Sequence, residues 1–448
     1  MNYLVSFVSL GCDKNLVDSE HMLGLLNQGG FSLTGDEEKA HVIVVNTCCF
    51  IEDAKKESIE NILEVARYKE IGACKALIVT GCMAQRYKQE ILDEIPEVDA
   101  VVGTTSYDKI VEIANGILEQ KGLRTQHFDL IDREMLDEMP RILTTAGYFA
   151  YVKISEGCDK HCTYCIIPKL RGKYRSRQMD KIKAEVEKLA ADGVSEIILV
   201  AQDTTEYGRD LENASLAKLL RELSKVEGIE WIRVLYCYPE SITDELIEEI
   251  KTNPKVCKYL DIPIQHASTS VLKRMARKSS LEQLKERLGK LRQEIPGIAL
   301  RTTLIVGFPG ETEEDFQILY DFVKEMRFDR LGVFTYSKEE GTPAALFEDQ
   351  IDEKTKIKRR DAIMALQHGI SSELTAKKVG KTMKVLIEGK ITDEDVYIGR
   401  TYQDAPDIDG EVFVEYEGEL ISGDFVDVRI TASNDYDLIG EIVDEYSE

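Results

Sequence analysis

Short apolar runs alternate with helical patterns over residues 1–336, and no other feature constrains the fold as strongly. Four runs lie in the first 120 residues and six follow in the next part of the chain. The predicted strands are 3–9, 42–46, 76–80 and 100–102, then 149–155, 196–201, 231–236, 259–262, 299–306 and 331–336. Such alternation is typical of α/β proteins, in which helices cover a parallel sheet.

The alternation divides the chain into domains. Residues 1–120 predict a parallel-sheet, flavodoxin-like domain, and the charged, aperiodic segment 121–145 predicts a linker. Residues 146–372 contain six β/α units, too few for a closed eight-fold barrel, so we expect a partial (β/α)6 barrel. Short alternating runs in residues 373–448 predict a small antiparallel β-barrel.

Composition indicates an intracellular globular protein. Of the 448 residues, 43% are hydrophobic and 31% charged, which excludes a mainly disordered chain. The sequence lacks both an apolar run of the ~18 residues that a membrane span needs and a signal peptide at its start, so we expect a cytoplasmic protein. Its ten cysteines then indicate metal ligation, catalysis or burial rather than disulfides.

Three cysteines form a C-x3-C-x2-C motif directly after a predicted strand. They are Cys158, Cys162 and Cys165. Three thiolates on one loop can bind three irons of a cubane cluster and leave the fourth open. The alternative is structural zinc, which needs four ligands; His161 is poorly placed to be the fourth, and no second cysteine pair exists.

The motif, with Tyr164 before its last cysteine at the head of a β/α domain, resembles the radical S-adenosylmethionine (SAM) superfamily. The resemblance implies a [4Fe-4S] cluster whose open iron chelates S-adenosyl-L-methionine. It further implies that the reduced cluster cleaves this cofactor to a 5′-deoxyadenosyl radical. In such enzymes the cofactor supplies the chemistry and the protein orients it.

Three more cysteines each follow a strand of the first domain. Cys12, Cys48 and Cys82 are spaced by about one βαβ unit, so all three are expected at the carboxyl edge of one parallel sheet. Each taken alone could be an ordinary buried residue. The remaining cysteines are interpreted as structural: Cys49, Cys74, Cys237 and Cys257.

Three early cysteines, the C-x3-C-x2-C motif and a final small barrel together resemble the methylthiotransferase family, whose barrel is called TRAM. The resemblance covers essentially the whole chain. It implies two [4Fe-4S] clusters: Cys158, Cys162 and Cys165 bind the radical-generating one, and Cys12, Cys48 and Cys82 bind an auxiliary cluster concerned with sulfur. The implied reaction replaces an unactivated C–H bond by C–S–CH3, using a sulfur donor and an electron donor.

The family has two substrate branches, ribosomal protein and tRNA. The segments 9–20, 171–177, 201–205, 399–401 and 404–410 resemble the branch that modifies the β-carbon of an aspartate in small-subunit ribosomal protein twelve. Residues 380–448 contain 19 acidic and five basic side chains. The excess of acidic side chains in this segment accounts for more than half of the chain's net charge of −25. Such a barrel complements a basic ribosomal protein, free or in its subunit, and repels tRNA.

Other interpretations stay open at this point. The tRNA branch, acting on a modified adenosine, is the alternative activity, and a non-catalytic iron–sulfur sensor is a third. A basic run after the radical motif could contact rRNA, balance a cluster, bind a substrate carboxylate or be a solvated loop. It comprises Lys169, Arg171, Lys173, Arg175 and Arg177. The strand ends 199–203 and 303–310 suit a cofactor pocket or ordinary turns, and no general acid or base is assigned.

Overall fold

The computed structural model describes residues 3–443 and begins with a parallel sheet. Its strands are β1 (Leu4–Ser9), β2 (Ser32–Leu33), β3 (Val42–Thr47), β4 (Ala76–Gly81), β5 (Ala100–Val102) and β6 (Thr125–His127). Its helices are α1 (Asp13–Gln28), α2 (Glu52–Ala66), α3 (Tyr68–Ile71), α4 (Cys82–Tyr87), α5 (Gln89–Glu94) and α6 (Ile110–Glu119). The spatial order is β2-β1-β3-β4-β5-β6, whose first five strands have flavodoxin-like order.

The central strands of this sheet are buried on both faces. Along β3, Ile43 and Val45 pack into one apolar cluster, and Val42 and Val44 pack into another on the opposite face. Side chains alternate across a strand, so a continuous apolar run is what a doubly covered sheet requires. The strand β6 lies inside the segment predicted as a linker, and it pairs with β5.

A second parallel sheet forms the middle of the chain. Its strands are β7 (Phe149–Lys153), β10 (Glu196–Val200), β11 (Trp231–Val234), β12 (Val256–Asp261), β13 (Ala299–Val306) and β14 (Arg330–Thr335), while β8 (Ser155–Glu156) and β9 (Arg175–Ser176) form a small antiparallel pair. The helices are α7 (Ile167–Arg171), α8 (Met179–Ala191), α9 (Leu216–Leu223), α10 (Asp244–Thr252), α11 (Thr269–Arg274), α12 (Leu281–Glu294), α13 (Glu313–Met326) and α14 (Glu353–Ala376). The order β14-β13-β12-β11-β10-β7 leaves the sheet open, which confirms the partial barrel.

The last described segment is a closed five-stranded barrel. Its strands are β15 (Thr382–Lys390), β16 (Val396–Thr401), β17 (Val412–Glu415), β18 (Phe425–Ser433) and β19 (Leu438–Ile442). The closed order is β15-β16-β17-β19-β18. The predicted antiparallel pairing is found for all neighbours in it except β17 and β19, which are parallel.

Buried ion pairs join the barrel to the second sheet. Arg400 of β16 pairs with Glu196 of β10 and with Glu388, and Arg233 donates to Glu196 at 2.9 Å. The rings of Trp231 and Phe425 meet edge to face 4.9 Å apart. These contacts hold the barrel in one position over the second sheet.

The predicted linker also carries an ionic contact between domains. Arg141 donates to Glu20 of α1 at 3.0 Å and to Glu185 of α8 at 2.7 Å. The segment therefore ties the first helix of the chain to the second sheet. Within residues 3–443 no helix is long and apolar enough to cross a membrane.

Candidate active site

The three early cysteines lie at one edge of the first sheet, as predicted. Cys12 caps the N-terminus of α1 after β1, Cys48 follows β3, and Cys82 opens α4 after β4. These strands are neighbours, and β1 and β3 flank the point where strand order reverses. Ligands bind at that point in open α/β sheets.

Close backbone approach brings these cysteines together. Gly11 has φ +93°, and a Cβ there would lie 2.7 Å from Cys48 Cβ and 3.0 Å from its Sγ. Asn15 of α1 donates to the carbonyls of Leu10 and Thr47, both at 3.0 Å, which fixes the ends of β1 and β3. Only glycine fits position 11 without strain, because of its positive φ and the close approach of Cys48.

The thiols of this group lie within electrostatic reach of one another. Burial, and then the nearby thiols of Cys82 and Cys12, raise the pKa of Cys48 to about 12. Burial also raises the pKa of Cys82, while the guanidinium of Arg171 lowers it. A positive charge beside closely spaced thiols favours their thiolate forms, which are the forms that bind metal.

The C-x3-C-x2-C loop joins β8 to α7 and is also fixed by its backbone. Gly157 has φ +84°, and a Cβ there would lie 2.1 Å from the carbonyl oxygen of Lys173. The Cys158 amide donates to Gly172 at 3.1 Å, and the Thr163 amide donates to Met275 at 3.0 Å. The loop is therefore held in a defined shape against α7 and α11.

The thiols of this loop are mutually close. Burial and then the Cys162 thiol raise the pKa of Cys158 to about 11, and the same two causes raise the pKa of Cys165. Across residues 3–443, no three His, Cys, Asp or Glu side chains are arranged to hold a single metal ion. A cubane cluster is larger than one ion and takes thiolates on separate irons, and three cysteines on one loop suit such a cluster.

A buried ionic network connects the two cysteine groups. Arg171 of α7 donates to Asp18 of α1 at 2.7 Å and to Glu156 at 3.3 Å, and it also contacts Asn15. Lys153 of β7 pairs with Asp18 and with Glu156, the latter at 2.7 Å. The network places the Arg171 guanidinium beside Cys82 and links it through Asp18 and Glu156 to Lys153.

The basic run is thus divided between two environments. Arg171 and Arg177 are buried, and Arg177 donates to Asp137 at 2.8 Å and to Glu185 at 2.6 Å. Lys173 is exposed. The interpretation of the whole run as a solvated loop is wrong for its two buried arginines.

A cationic group that the sequence does not reveal lies beside the radical motif. Arg277 is buried, lies 4.2 Å from the ring centroid of Tyr238 and has no partner for its Nε and Nη1 atoms within the described residues. The Tyr238 hydroxyl is 4.0 Å from Cys162 Sγ. Arg277 follows α11 in a generally basic segment, so nothing in the local sequence singles it out.

The two strand ends noted in the sequence have different surroundings. Gln202, after β10, donates to Glu156 at 2.8 Å, and Asp203 pairs with Lys160 at 3.4 Å, so this end adjoins the network and the radical motif. Gly307, after β13, has φ +70° and packs against the side chain of Lys356. The second strand end also adjoins the radical motif, because Phe308 lies in an apolar cluster against which Tyr164 packs.

The cysteines interpreted as structural are buried. Cys74 Sγ donates to the Ala76 carbonyl at 3.6 Å, and Cys237 Sγ lies 3.6 Å from the Thr204 hydroxyl. Cys49 lies in the apolar cluster on the face of the first sheet, and Cys257 lies in the cluster near the barrel. Their structural interpretation stays a prediction.

Family models match all three domains. They are Uncharacterized protein family UPF0004 over residues 4–103, the Radical SAM superfamily over residues 152–323 and the TRAM domain over residues 379–443. Among solved structures, the radical S-adenosylmethionine methyltransferase TsrM from Kitasatospora setae shares the fold. It has a TM-score of 0.57 at 15% identity and covers 77% of this chain and 74% of that one. Fold and site together define a radical SAM enzyme.

Curated relatives specify the family. "Ribosomal protein uS12 methylthiotransferase RimO" of Lachnoclostridium phytofermentans is 58% identical over 97% of this chain and 99% of that protein. The protein of the same name from Acetivibrio thermocellus is 54% identical over the full length of both. The chain belongs to the RimO family of methylthiotransferases, transferases that use S-adenosyl-L-methionine and two [4Fe-4S] clusters.

Proposed function

We propose that this chain replaces a C–H bond at the β-carbon of an aspartate in ribosomal protein uS12 by a methylthio group. One observation carries the proposal: two groups of three cysteines, on different sheets, are joined by the buried Arg171 network. The relatives named for this activity match the chain over nearly its whole length. Joined cluster sites suit a reaction that combines radical formation with sulfur transfer.

The cysteines have divided roles in this proposal. Cys158, Cys162 and Cys165 would hold the radical-generating cluster, and the auxiliary cluster would be held by Cys12, Cys48 and Cys82. When bound, the clusters and S-adenosyl-L-methionine supply electron transfer, hydrogen abstraction, sulfur and a methyl group. Three protein thiolates for four irons leave one iron of each cluster open to an exogenous ligand.

Other side chains of the chain prepare these sites. Arg171 places a fixed cation beside Cys82, which offsets the negative charge that a thiolate-bound cluster concentrates there. Arg277 offers unpartnered donors beside the radical motif, where an anionic group of the cofactor would satisfy them. Burial of Cys48, Cys82, Cys158 and Cys162 limits the access of water, which protects reactive species.

The substrate assignment rests on charge as well as on the relatives. The acidic barrel attracts a basic ribosomal protein and disfavours an RNA backbone. We also propose that the enzyme acts in the cytoplasm, where it meets uS12 free or in the small subunit. A sulfur donor and an electron donor complete the proposed set of partners.

The experiment offers three substrates to one enzyme. Reconstituted protein, a chemical reductant, sulfide and S-adenosyl-L-methionine are incubated separately with free uS12, small ribosomal subunits and tRNA. We expect intact-mass spectra of uS12 to gain about 46 Da, the mass of a methylthio group that replaces hydrogen. Modification of tRNA with unchanged uS12 would support the tRNA branch instead. Absence of any cofactor cleavage would support the sensor interpretation.

A further inference from the structure

All three domains line a cavity of about 290 Å³ beside Cys12. The loop between β1 and α1 contributes Cys12 and Asp13, the second sheet contributes Tyr151 and Tyr236, and the barrel contributes Asp407 and its neighbours. The volume is just below the ~300–1,000 Å³ range of small-molecule sites. It therefore suits one or two side chains of a larger substrate.

One carboxylate of the cavity is buried and only half satisfied. The Asp13 side chain is 7% exposed; its Oδ1 accepts from the Tyr236 hydroxyl at 3.1 Å and pairs with Lys14 at 2.9 Å. Its Oδ2 has no hydrogen-bond partner within the described residues. A buried acceptor without a partner is unfavourable, and a ligand that donates to it removes the penalty.

The second carboxylate belongs to the barrel and is held in place by the loop that carries it. On one side of Asp407, Asp404 pairs with Arg330. On the other, Asp409 accepts from the Tyr259 hydroxyl at 2.8 Å and pairs with Arg301 at 3.5 Å. Between these anchors Asp407 is exposed, has φ +63°, and has no hydrogen bond or ion pair in the part of the chain described. Positive φ is uncommon for a residue other than glycine, and such backbone strain is concentrated at functional sites.

The charges around the cavity select its ligand. Burial raises the pKa of Tyr151, and the carboxylates of Asp13 and Asp407 raise it further, so both charges face this tyrosine. Lys14 neutralises part of the Asp13 charge, and Arg400 lies near enough to lower the pKa of Tyr151. The free oxygen atoms still belong to carboxylates, so the cavity favours a cation and repels the substrate's own aspartate.

We propose that this cavity is a subsite for a lysine or arginine side chain that lies close to the modified aspartate in the substrate polypeptide. Asp407 and the free Oδ2 of Asp13 are its partners. The inference rests on the proposed function, since it presumes a protein substrate. It makes the barrel a wall of the active site as well as a docking surface.

The test measures KM and kcat for free uS12 with reconstituted full-length enzyme. Asp407→Asn keeps the size of the side chain and is tolerated at positive φ, so it removes only the charge. We expect KM to rise about three- to tenfold with a smaller change in kcat, which is the effect of losing a partly exposed charge pair. Glu419→Gln, an exposed barrel residue outside the cavity, makes the same change in net charge and should leave KM within about twofold.

Variants of the substrate identify the bound side chain. Each lysine and arginine of uS12 within about five residues of the modified aspartate is changed singly to methionine and tested with both enzymes. With the unaltered enzyme, one of these substrate changes should raise KM by the same factor as Asp407→Asn does. With the Asp407→Asn enzyme, the same substrate change should raise KM little further, which is the result that a double-mutant cycle gives for two groups in contact. Equal KM values for Asp407→Asn and Glu419→Gln, or full additivity for every substrate change, would overturn the subsite. Failure of the unaltered enzyme to modify uS12 would instead overturn the proposed function.

Discussion

Arg171 Nη1 donates to Asp18 Oδ2 at 2.7 Å, and this buried pair joins the helix after the radical motif to the helix after Cys12. Each partner also makes a second contact between the domains, because Lys153 pairs with Asp18 and Arg171 contacts Asn15. The relative position of the two cysteine groups therefore depends on a few charged side chains.

Replacing Arg171 by methionine should weaken the contacts between the first two domains. It should also weaken iron binding by Cys12, Cys48 and Cys82. It leaves Asp18 and Glu156 with one buried cation between them, and breaking a buried pair typically costs about 3–5 kcal/mol. Urea unfolding should show that loss, together with a lower iron content. Lys173→Met changes an exposed member of the same basic run and should do neither. Equal effects of the two changes would contradict the network's role.

Gly11→Ala should impair the auxiliary site selectively. The added Cβ meets Cys48 at 2.7 Å in a backbone conformation that disfavours alanine. We expect the variant to lose about half of the cluster iron and to keep cleavage of S-adenosyl-L-methionine. The matched control is Gly30→Ala, which has φ +88° and nothing within 4 Å of the new Cβ, so it carries the strain without the clash. Iron loss in both variants would point to strain alone.

Acid should weaken the contact around Glu185. Burial alone raises the pKa of this carboxyl, but Arg177 and Arg141 lower it to about 2, from an ordinary value of 4.5. Its stabilising contribution is thus present above pH 4.5 and is lost as pH falls toward 2, an effect of up to about 3 kcal/mol. Urea unfolding between pH 6 and 3 should show a shallower pH dependence for Glu185→Gln. The exposed Glu187→Gln variant should match the unaltered protein.

Salt should weaken substrate capture. The acidic barrel attracts a basic protein over a distance comparable with the ~10 Å Debye length at 0.1 M salt. We expect KM for uS12 to rise about threefold or more between 50 and 300 mM salt, mainly through slower association. Cleavage of S-adenosyl-L-methionine without substrate serves as the control. A salt-independent KM would contradict electrostatic capture.

The barrel itself is unsuited to a simple deletion test. Its removal would leave Arg233 and Glu196 without Arg400 and would leave Arg330 without Asp404. It would also expose the apolar cluster in which Trp231 packs against Leu386 and Phe425 of the barrel, and the loss of that burial is destabilising. Point variants at Asp407 therefore test its role more cleanly than truncation at residue 380.

Local sequence predicted the elements whose burial is simple. The strands β3 and β4 are continuous apolar runs, and their shared phase correctly placed Cys48 and Cys82 at one edge. The strand β6 was missed because it is a polar three-residue edge strand, only half buried. The segment is a strand because it pairs with β5, and no local sequence pattern reveals that pairing.

The local sequence could not show which charged residues near the radical motif are buried, because their partners lie far away in the chain. Arg171 and Lys173 are equivalent in a basic run, yet one meets a carboxylate 153 residues away and the other faces solvent. Arg277 and Tyr238 are likewise brought to the radical motif by different β/α units. Charged side chains that are distant in the chain and meet only in the folded protein leave no periodic pattern in the sequence.

The most direct test of the account compares two triple variants. One replaces Cys12, Cys48 and Cys82 by alanine, and the other replaces Cys158, Cys162 and Cys165. After reconstitution each should hold about four irons, where the unaltered protein holds about eight. The first should still cleave S-adenosyl-L-methionine but leave uS12 unmodified, and the second should do neither. Methylthiolation by the first variant, or retention of about eight irons by either, would contradict the division of the six cysteines between two clusters.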